Sequence, residues 1–135
     1  MKIEFVIPGQ PQGKARAKIT RHGAYTPEKT VLYENLIKMC YQYKTPNYYT
    51  EKPLHITIEA IFEPVKSASK VQRQAMLNGL IQPTKKPDID NIAKVILDSL
   101  NGIAYKDDTQ VISLTLNKKY GEVGKVKVKI EEVVD

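Results

Sequence analysis

Apolar side chains alternate with polar ones in four separate segments of the chain, and this period of two is typical of strands with one buried face. Segments with helical apolar spacing lie between them. The strand segments are residues 2–8, 54–62, 111–117 and 125–130, and the helical ones are residues 27–44, 67–80 and 89–103. The order β-α-β-α-α-β-β predicts one α+β domain, residues 1–135. We expect a two-layer sandwich, with the helices on one face of a mixed, largely antiparallel sheet.

Capping and turn residues refine these boundaries. Thr26 is predicted as the N-cap of the first helix, with Pro27 at its first position. The second helix is predicted to start near Ser67 or Ser69. The last two strands are predicted to form an antiparallel hairpin, because two glycines lie in the turn between them, at residues 121–124. Residues 9–26 contain three glycines and no apolar period, so we expect a long basic loop or a loose hairpin.

Composition excludes several kinds of site. The chain has one cysteine and two histidines, so a disulfide framework, a Cys-rich zinc site and a His-based metal cluster are excluded. The N-terminal residues have an acid within a short apolar stretch, which indicates a strand and not a signal peptide. No apolar run approaches the roughly 20 residues of a membrane span. We expect a cytoplasmic protein that uses carboxylates, lysines and hydroxyls, without a membrane or a small-molecule cofactor.

The net charge of +6 favours an anionic partner, and the distribution of charge is more informative than the total. Basic residues are concentrated in residues 10–30 and 66–86, whereas acids are concentrated between residues 88 and 108. A polyanion held on both sides of an acidic centre fits this distribution. The candidate phosphate contacts are Lys14, Arg16, Lys18 and Arg21 in the first loop, and Lys85 and Lys86 directly before the acids.

The acidic centre allows two interpretations. Asp88 is placed at a helix N-cap and Asp90 in the first turn, where acids favour the helix dipole, and Asp90 and Lys94 form an ordinary i,i+4 pair. Asp107 and Asp108 fit a turn. Alternatively, carboxylates close together at a helix start need a cation between them, and Mg²⁺ or Mn²⁺ takes oxygen ligands and keeps sites for phosphate. The basic flanks favour the second interpretation.

A long ordered motif resembles the RusA family of Holliday-junction resolvases from bacteria and their phages. It runs D-x-D-N-x-x-K from Asp88, then D-x-L-N-G from Asp98, then D-D-x-Q-V from Asp107. The basic segment Gly9–Arg16 and residues 24–27 also resemble the family. The similarity covers almost the whole chain and is weakest between about Tyr41 and Ile81.

The resemblance implies a homodimeric endonuclease that cuts four-way DNA junctions with Mg²⁺, for which Mn²⁺ substitutes. It implies that Asp88, Asp90 and Asp108 bind the metal, with Asp107 as the alternative to Asp108, and that Lys94 is the catalytic lysine. Lys94 would stabilise the pentacovalent transition state or the departing 3′ oxygen. Two symmetric cuts need two active sites, which a two-fold dimer supplies.

Two other functions stay open from the sequence. One is a DNA-binding phage protein that binds junctions without turnover. The retained acids and Lys94 count against it, because carboxylates facing phosphates weaken simple binding. The other is a nuclease of the same fold that prefers flaps or forks.

Overall fold

A four-stranded mixed sheet and a separate two-stranded hairpin make up the β structure of this protein. The computed structural model describes residues 2–133. In chain order the elements are β1 (Lys2–Pro8), β2 (Lys18–Thr20), β3 (Gly23–Tyr25), α1 (Glu28–Lys44), β4 (Leu54–Phe62), α2 (Lys70–Leu77), α3 (Ile89–Ser99), a 3₁₀ turn (Asp108–Gln110), β5 (Val111–Tyr120) and β6 (Lys125–Glu132). The sheet order is β1-β6-β4-β5. The predicted α+β class and the mixed sheet are confirmed.

The predicted hairpin between the last two strands is wrong. β6 is antiparallel to both β1 and β4, while β5 pairs with the far side of β4 in parallel. The apolar side chains explain this arrangement. Val126, Val128 and Ile130 of β6 are fully buried, which suits a strand in the interior of the sheet, whereas Ile112 of β5 is 64 % exposed and suits an edge.

The core lies between one face of the sheet and two helices. β1, β4 and β6 each turn alternate apolar residues to this face, with cross-strand pairs such as Phe5 and Val128. α1 adds Tyr33, Ile37 and Tyr41; α3 adds Ile92, Val95 and Ile96, and its C-cap adds Leu100. Burying one such side chain is worth about 1.5–3 kcal/mol, so this face holds α1 and α3 to the sheet. No helix in residues 2–133 is long and apolar enough to cross a membrane.

Two helix starts differ in how well they were predicted. Pro27, not Thr26, is the N-cap of α1, and its carbonyl accepts the N–H groups of Thr30 and Val31 at 3.0 and 3.2 Å. Ser69 caps α2 in a capping box with Gln72. Of the two predicted starts, Ser67 and Ser69, the second is therefore confirmed. α2 is shorter than predicted and contains no buried residue.

The basic segment after β1 was predicted to form either a long loop or a loose hairpin, and it contains a hairpin. β2 and β3 pair antiparallel, and every residue of both strands is exposed. Gly23, at a φ of 112°, allows the turn between them. The hairpin therefore projects from the domain and contributes nothing to its core.

Candidate active site

The start of α3 places two of the candidate carboxylates at the surface. Asp88 is the N-cap, as predicted, and its Oδ1 accepts the Asn91 N–H at 3.1 Å. Asp90 lies in the first turn. Both residues are exposed, so solvent and ligands reach their carboxylates.

Lys94 lies on the same helix but pairs with an acid that sequence reasoning left without a role. Its Nζ is 3.6 Å from Oδ2 of Asp98, one turn further along α3. The predicted i,i+4 partner, Asp90, forms no ion pair with it in the described part of the chain. Asp90, Lys94 and Asp98 follow one another at intervals of four residues. This spacing predicts that all three lie on one face of the helix.

The 3₁₀ turn gives the adjacent acids Asp107 and Asp108 different environments. Asp107 is the cap, with Oδ1 accepting the Asp108 N–H and Oδ2 accepting the Thr109 hydroxyl, each at 3.0 Å. Gln110 completes a capping box by accepting the Asp107 N–H at 3.0 Å. Its Nε2 also donates to the carbonyls of Thr50 and Lys52, which fastens this turn to the loop before β4.

Asp108 lies in an acidic environment that also contains Lys94. Partial burial raises the pKa of the Asp108 carboxyl, and the charges of Asp107 and Asp98 raise it further, while Lys94 opposes the shift. The structure therefore brings Asp108, Asp98 and Lys94 into one electrostatic neighbourhood.

The acids are not assembled into a finished metal centre. Among residues 2–133, no group of three or more His, Cys, Asp or Glu side chains is arranged to hold a metal ion. The donor chemistry does fit a hard divalent cation, because the candidates are all carboxylates and Asp88, Asp90 and Asp107 are exposed. The raised pKa of Asp108 also reflects like-charge repulsion that a bound cation would relieve.

The candidate phosphate contacts fall into two groups. Arg16, Lys18 and Arg21 are exposed on and beside the β2–β3 hairpin. Lys14 is instead partly buried, and its Nζ donates to Oε2 of Glu34 at 2.6 Å.

The basic residues before α3 are placed by aromatic rings and by a lysine that sequence reasoning missed. Lys85 Nζ lies 5.7 Å from the ring centroids of both Phe62 and Tyr120. Lys118 Nζ donates to the Lys85 carbonyl at 2.6 Å. Lys85 and Lys86 are themselves exposed. The position of Lys85, three residues before Asp88, is therefore held by contacts from β4 and β5, which no local sequence pattern indicates.

Comparison with known proteins decides the family. The family model described as "Endodeoxyribonuclease RusA" matches residues 8–131. This chain belongs to the RusA family. The match includes every candidate carboxylate, Lys94 and both basic segments, and it confirms the resemblance found in the sequence. The protein is therefore placed among DNA-binding endonucleases associated with Holliday-junction resolution and DNA recombination.

A relative from a bacterium matches this RusA-family protein over nearly its full length. The "Uncharacterized protein YqaN" of Bacillus subtilis (strain 168) is 32% identical over 138 aligned positions, which cover 97% of this chain and 96% of the relative. Its printed name assigns no substrate.

Proposed function

We propose that this protein is a Mg²⁺-dependent endonuclease that resolves four-way DNA junctions by paired symmetric nicks. The observation that carries the proposal is the family match over residues 8–131, a range that contains Asp88, Asp90, Lys94 and Asp108. The environment around these residues supports it, because Lys94 and Asp108 interact electrostatically although they come from different elements.

Asp88, Asp90 and Asp108 would hold the metal. The hydrogen bonds of the 3₁₀ turn favour Asp108 over Asp107, because both carboxylate oxygens of Asp107 are already used within the turn. When bound, Mg²⁺ or the substituting Mn²⁺ supplies charge neutralisation at the phosphate and lowers the pKa of a bound water.

Lys94 is suited to stabilise charge on the attacked phosphate. Its side chain is 61 % exposed and only loosely paired with Asp98 at 3.6 Å, so its ammonium can reach a phosphate oxygen. A compact ammonium concentrates its charge on one atom, which suits the developing charge of the transition state or of the leaving 3′ oxygen.

The exposed basic residues are suited to hold the DNA arms. Lys18 and Arg21 lie on the projecting hairpin and Arg16 lies just before it, while Lys85 and Lys86 lie shortly before the carboxylates in the chain. In the described residues, none of these five side chains forms an ion pair with an acid. Their charges therefore remain available for phosphates, and each contact adds a salt-dependent contribution to binding.

Paired nicks require two active sites, so the proposal includes a two-fold homodimer. A single domain of this size has a radius of gyration of roughly 14 Å and one set of candidate carboxylates. One copy would therefore nick one strand, and the second copy would nick the opposing strand. The proposed location is the bacterial cytoplasm, where the DNA lies.

The test is cleavage of a labelled four-way junction with a mobile core and immobile arms. Flap and fork substrates are run in parallel, each in Mg²⁺, Mn²⁺ and EDTA, with wild type and Asp90→Asn. Paired nicks that need metal and disappear in the variant are the expected result. Faster cutting of flaps or forks would move the assignment to those substrates. Tight junction binding without cleavage in either metal would leave a DNA-binding protein whose acids act as helix caps.

A further inference from the structure

Residues 12–15 run between α1 and α3 and are bound to both helices. The Lys14 N–H donates to the Asn91 carbonyl of α3 at 3.0 Å, and the Ala15 N–H donates to the Thr30 hydroxyl of α1 at 3.3 Å. A Cβ built on Gly13 would stand 2.8 Å from Asn91 Cβ, so the segment lies directly against the start of α3. This contact fixes where the Lys14 side chain begins.

The Lys14 ammonium joins the two helices by ion pairs. It donates to Glu34 Oε2 at 2.6 Å and lies 3.7 Å from Asp98 Oδ2. The side chains of Lys14, Glu34 and Asp98 are only 21 %, 17 % and 27 % exposed. Partly buried charges are screened less than surface charges, and removing one partner leaves the others uncompensated.

Asp98 connects this ion pair to the candidate active site. The same oxygen, Oδ2, lies 3.6 Å from Lys94 Nζ, so one carboxylate is shared by two lysines. Lys94 and Asp98 both act on the charge of Asp108. A continuous chain of charged side chains therefore leads from Lys14 through Asp98 to Lys94.

We infer that Lys14 is a positioning residue that acts through Asp98 on Lys94, and not a phosphate contact; this inference rests on the nuclease function proposed above. With Lys14 present, the Asp98 charge is divided between two ammonium groups, and Lys94 stays free to approach a phosphate. Without Lys14, Asp98 pairs with Lys94 alone and draws it away from the DNA. Lys14 thus differs in role from Arg16, two residues further along the same basic loop.

The experiment separates binding from turnover. Junction affinity is measured in EDTA over a range of salt concentrations, and single-turnover cleavage is measured in Mg²⁺ at saturating enzyme. For Lys14→Gln we expect at least a tenfold slower cleavage with an unchanged affinity and salt slope. For Arg16→Gln we expect weaker binding and a salt slope reduced by about 0.9. If Lys14→Gln behaves like Arg16→Gln, Lys14 contacts phosphate and the inference is overturned.

Two further variants test the route through Asp98. Neutralising Asp98 in the Lys14→Gln background removes its pull on Lys94, so Lys14→Gln/Asp98→Asn should cleave faster than Lys14→Gln. A slower double variant would overturn the inference. Lys14→Arg keeps both ion pairs and should retain most of the wild-type rate, and a rate as low as that of Lys14→Gln would also contradict the proposal.

Folding and the underlying function have their own controls. If Lys14→Gln does not fold, Lys14→Gln/Glu34→Gln removes both partners of the closest ion pair and undergoes the same measurements with the same expected loss of rate. If the wild type cleaves no junction, flap or fork in Mg²⁺ or Mn²⁺, the proposed nuclease function fails and the inference fails with it. If the wild type cleaves and only the Lys14 results disagree, the nuclease function stands alone.

Discussion

The Asp108 N–H donates to Oδ1 of Asp107 at 3.0 Å, so the first of these adjacent acids caps the turn that presents the second. The other Asp107 oxygen accepts the Thr109 hydroxyl. Asp108 is left with a partly buried carboxylate beside Asp98 and Lys94. Asp107 and Asp108 are therefore in different environments, and substituting each one separately distinguishes their contributions.

Asp108→Asn should abolish cleavage while Asp107→Asn should preserve it. Loss of a metal ligand is expected to slow cleavage by at least about 100-fold, since residues outside the ligand set already change activity by 10–100-fold. Asparagine is a good cap, so Asp107→Asn should cleave within a few-fold of wild type. Asp107→Ala should lose about 1 kcal/mol of stability, seen as a fall in Tm of about 4 °C. Reversed activities in the junction assay would make Asp107 the ligand.

Removing the hairpin charges should weaken junction binding without slowing the chemical step. Arg16, Lys18 and Arg21 are exposed, and each phosphate contact contributes about 0.9 to the slope of log K against log salt. Arg16→Ala/Lys18→Ala/Arg21→Ala should therefore flatten that slope by up to about 2.7 in a binding titration. Cleavage at saturating enzyme should stay near the wild-type rate.

The matched control for this charge removal lies on β6. Lys125→Ala/Lys127→Ala/Lys129→Ala removes three positive charges, as the first variant does, from strand residues that alternate with buried apolar residues. It should leave the salt slope unchanged. An equal decrease from both variants would mean that the net charge of the protein, and not the hairpin, determines the affinity.

The Tyr48–Glu132 contact predicts a pH-dependent stability. The Tyr48 hydroxyl donates to Glu132 Oε1 at 2.6 Å, and this bond, with Lys52 nearby, lowers the pKa of the Glu132 carboxyl. A lowered carboxyl pKa contributes stability above the unfolded value of about 4.3, and this stability is lost as the pH falls through the folded value. Tyr48→Phe should therefore lower Tm at pH 7 and lower it progressively less below about pH 4.3.

Tyr49→Phe is the control for this measurement. Tyr49 is the next residue and makes a weaker, exposed contact at 3.4 Å with Glu51. Its replacement should change Tm little at any pH. A Tyr48→Phe difference that stays constant across the acid range would contradict the assigned role of the Glu132 charge.

Mixed dimers should reveal how many sites act on one junction. Wild type and Asp90→Asn, unfolded and refolded together, should give heterodimers that nick one strand and leave the opposing strand intact. Labels on both strands read this outcome directly, and sedimentation under cleavage conditions gives the mass. A monomer that makes both cuts would contradict the two-fold arrangement.

Local chemistry explains which elements were predictable. Asp88 was recognisable as an N-cap because capping depends on residues three positions apart, and the Ser69–Gln72 box follows the same rule. The partner of β5 was not recognisable, because the alternation of apolar residues marks a strand and one buried face but does not name the neighbouring strand. Lys118 was missed for a related reason: its contact with Lys85 joins residues 33 positions apart.

The sequence by itself determined the strands and helices, the acidic and basic segments and the RusA motif, because each depends on residues close together in the chain. Only the tertiary structure decided that β6 lies between β1 and β4, that Asp107 caps while Asp108 stays available, and that Lys14 bridges α1 and α3. The physical reason is that burial and ion pairing depend on distance in space. In the sequence, Lys14 and Arg16 are two similar basic residues of one loop. Because Lys14 packs between two helices, it pairs with Glu34, whereas Arg16 is exposed to solvent.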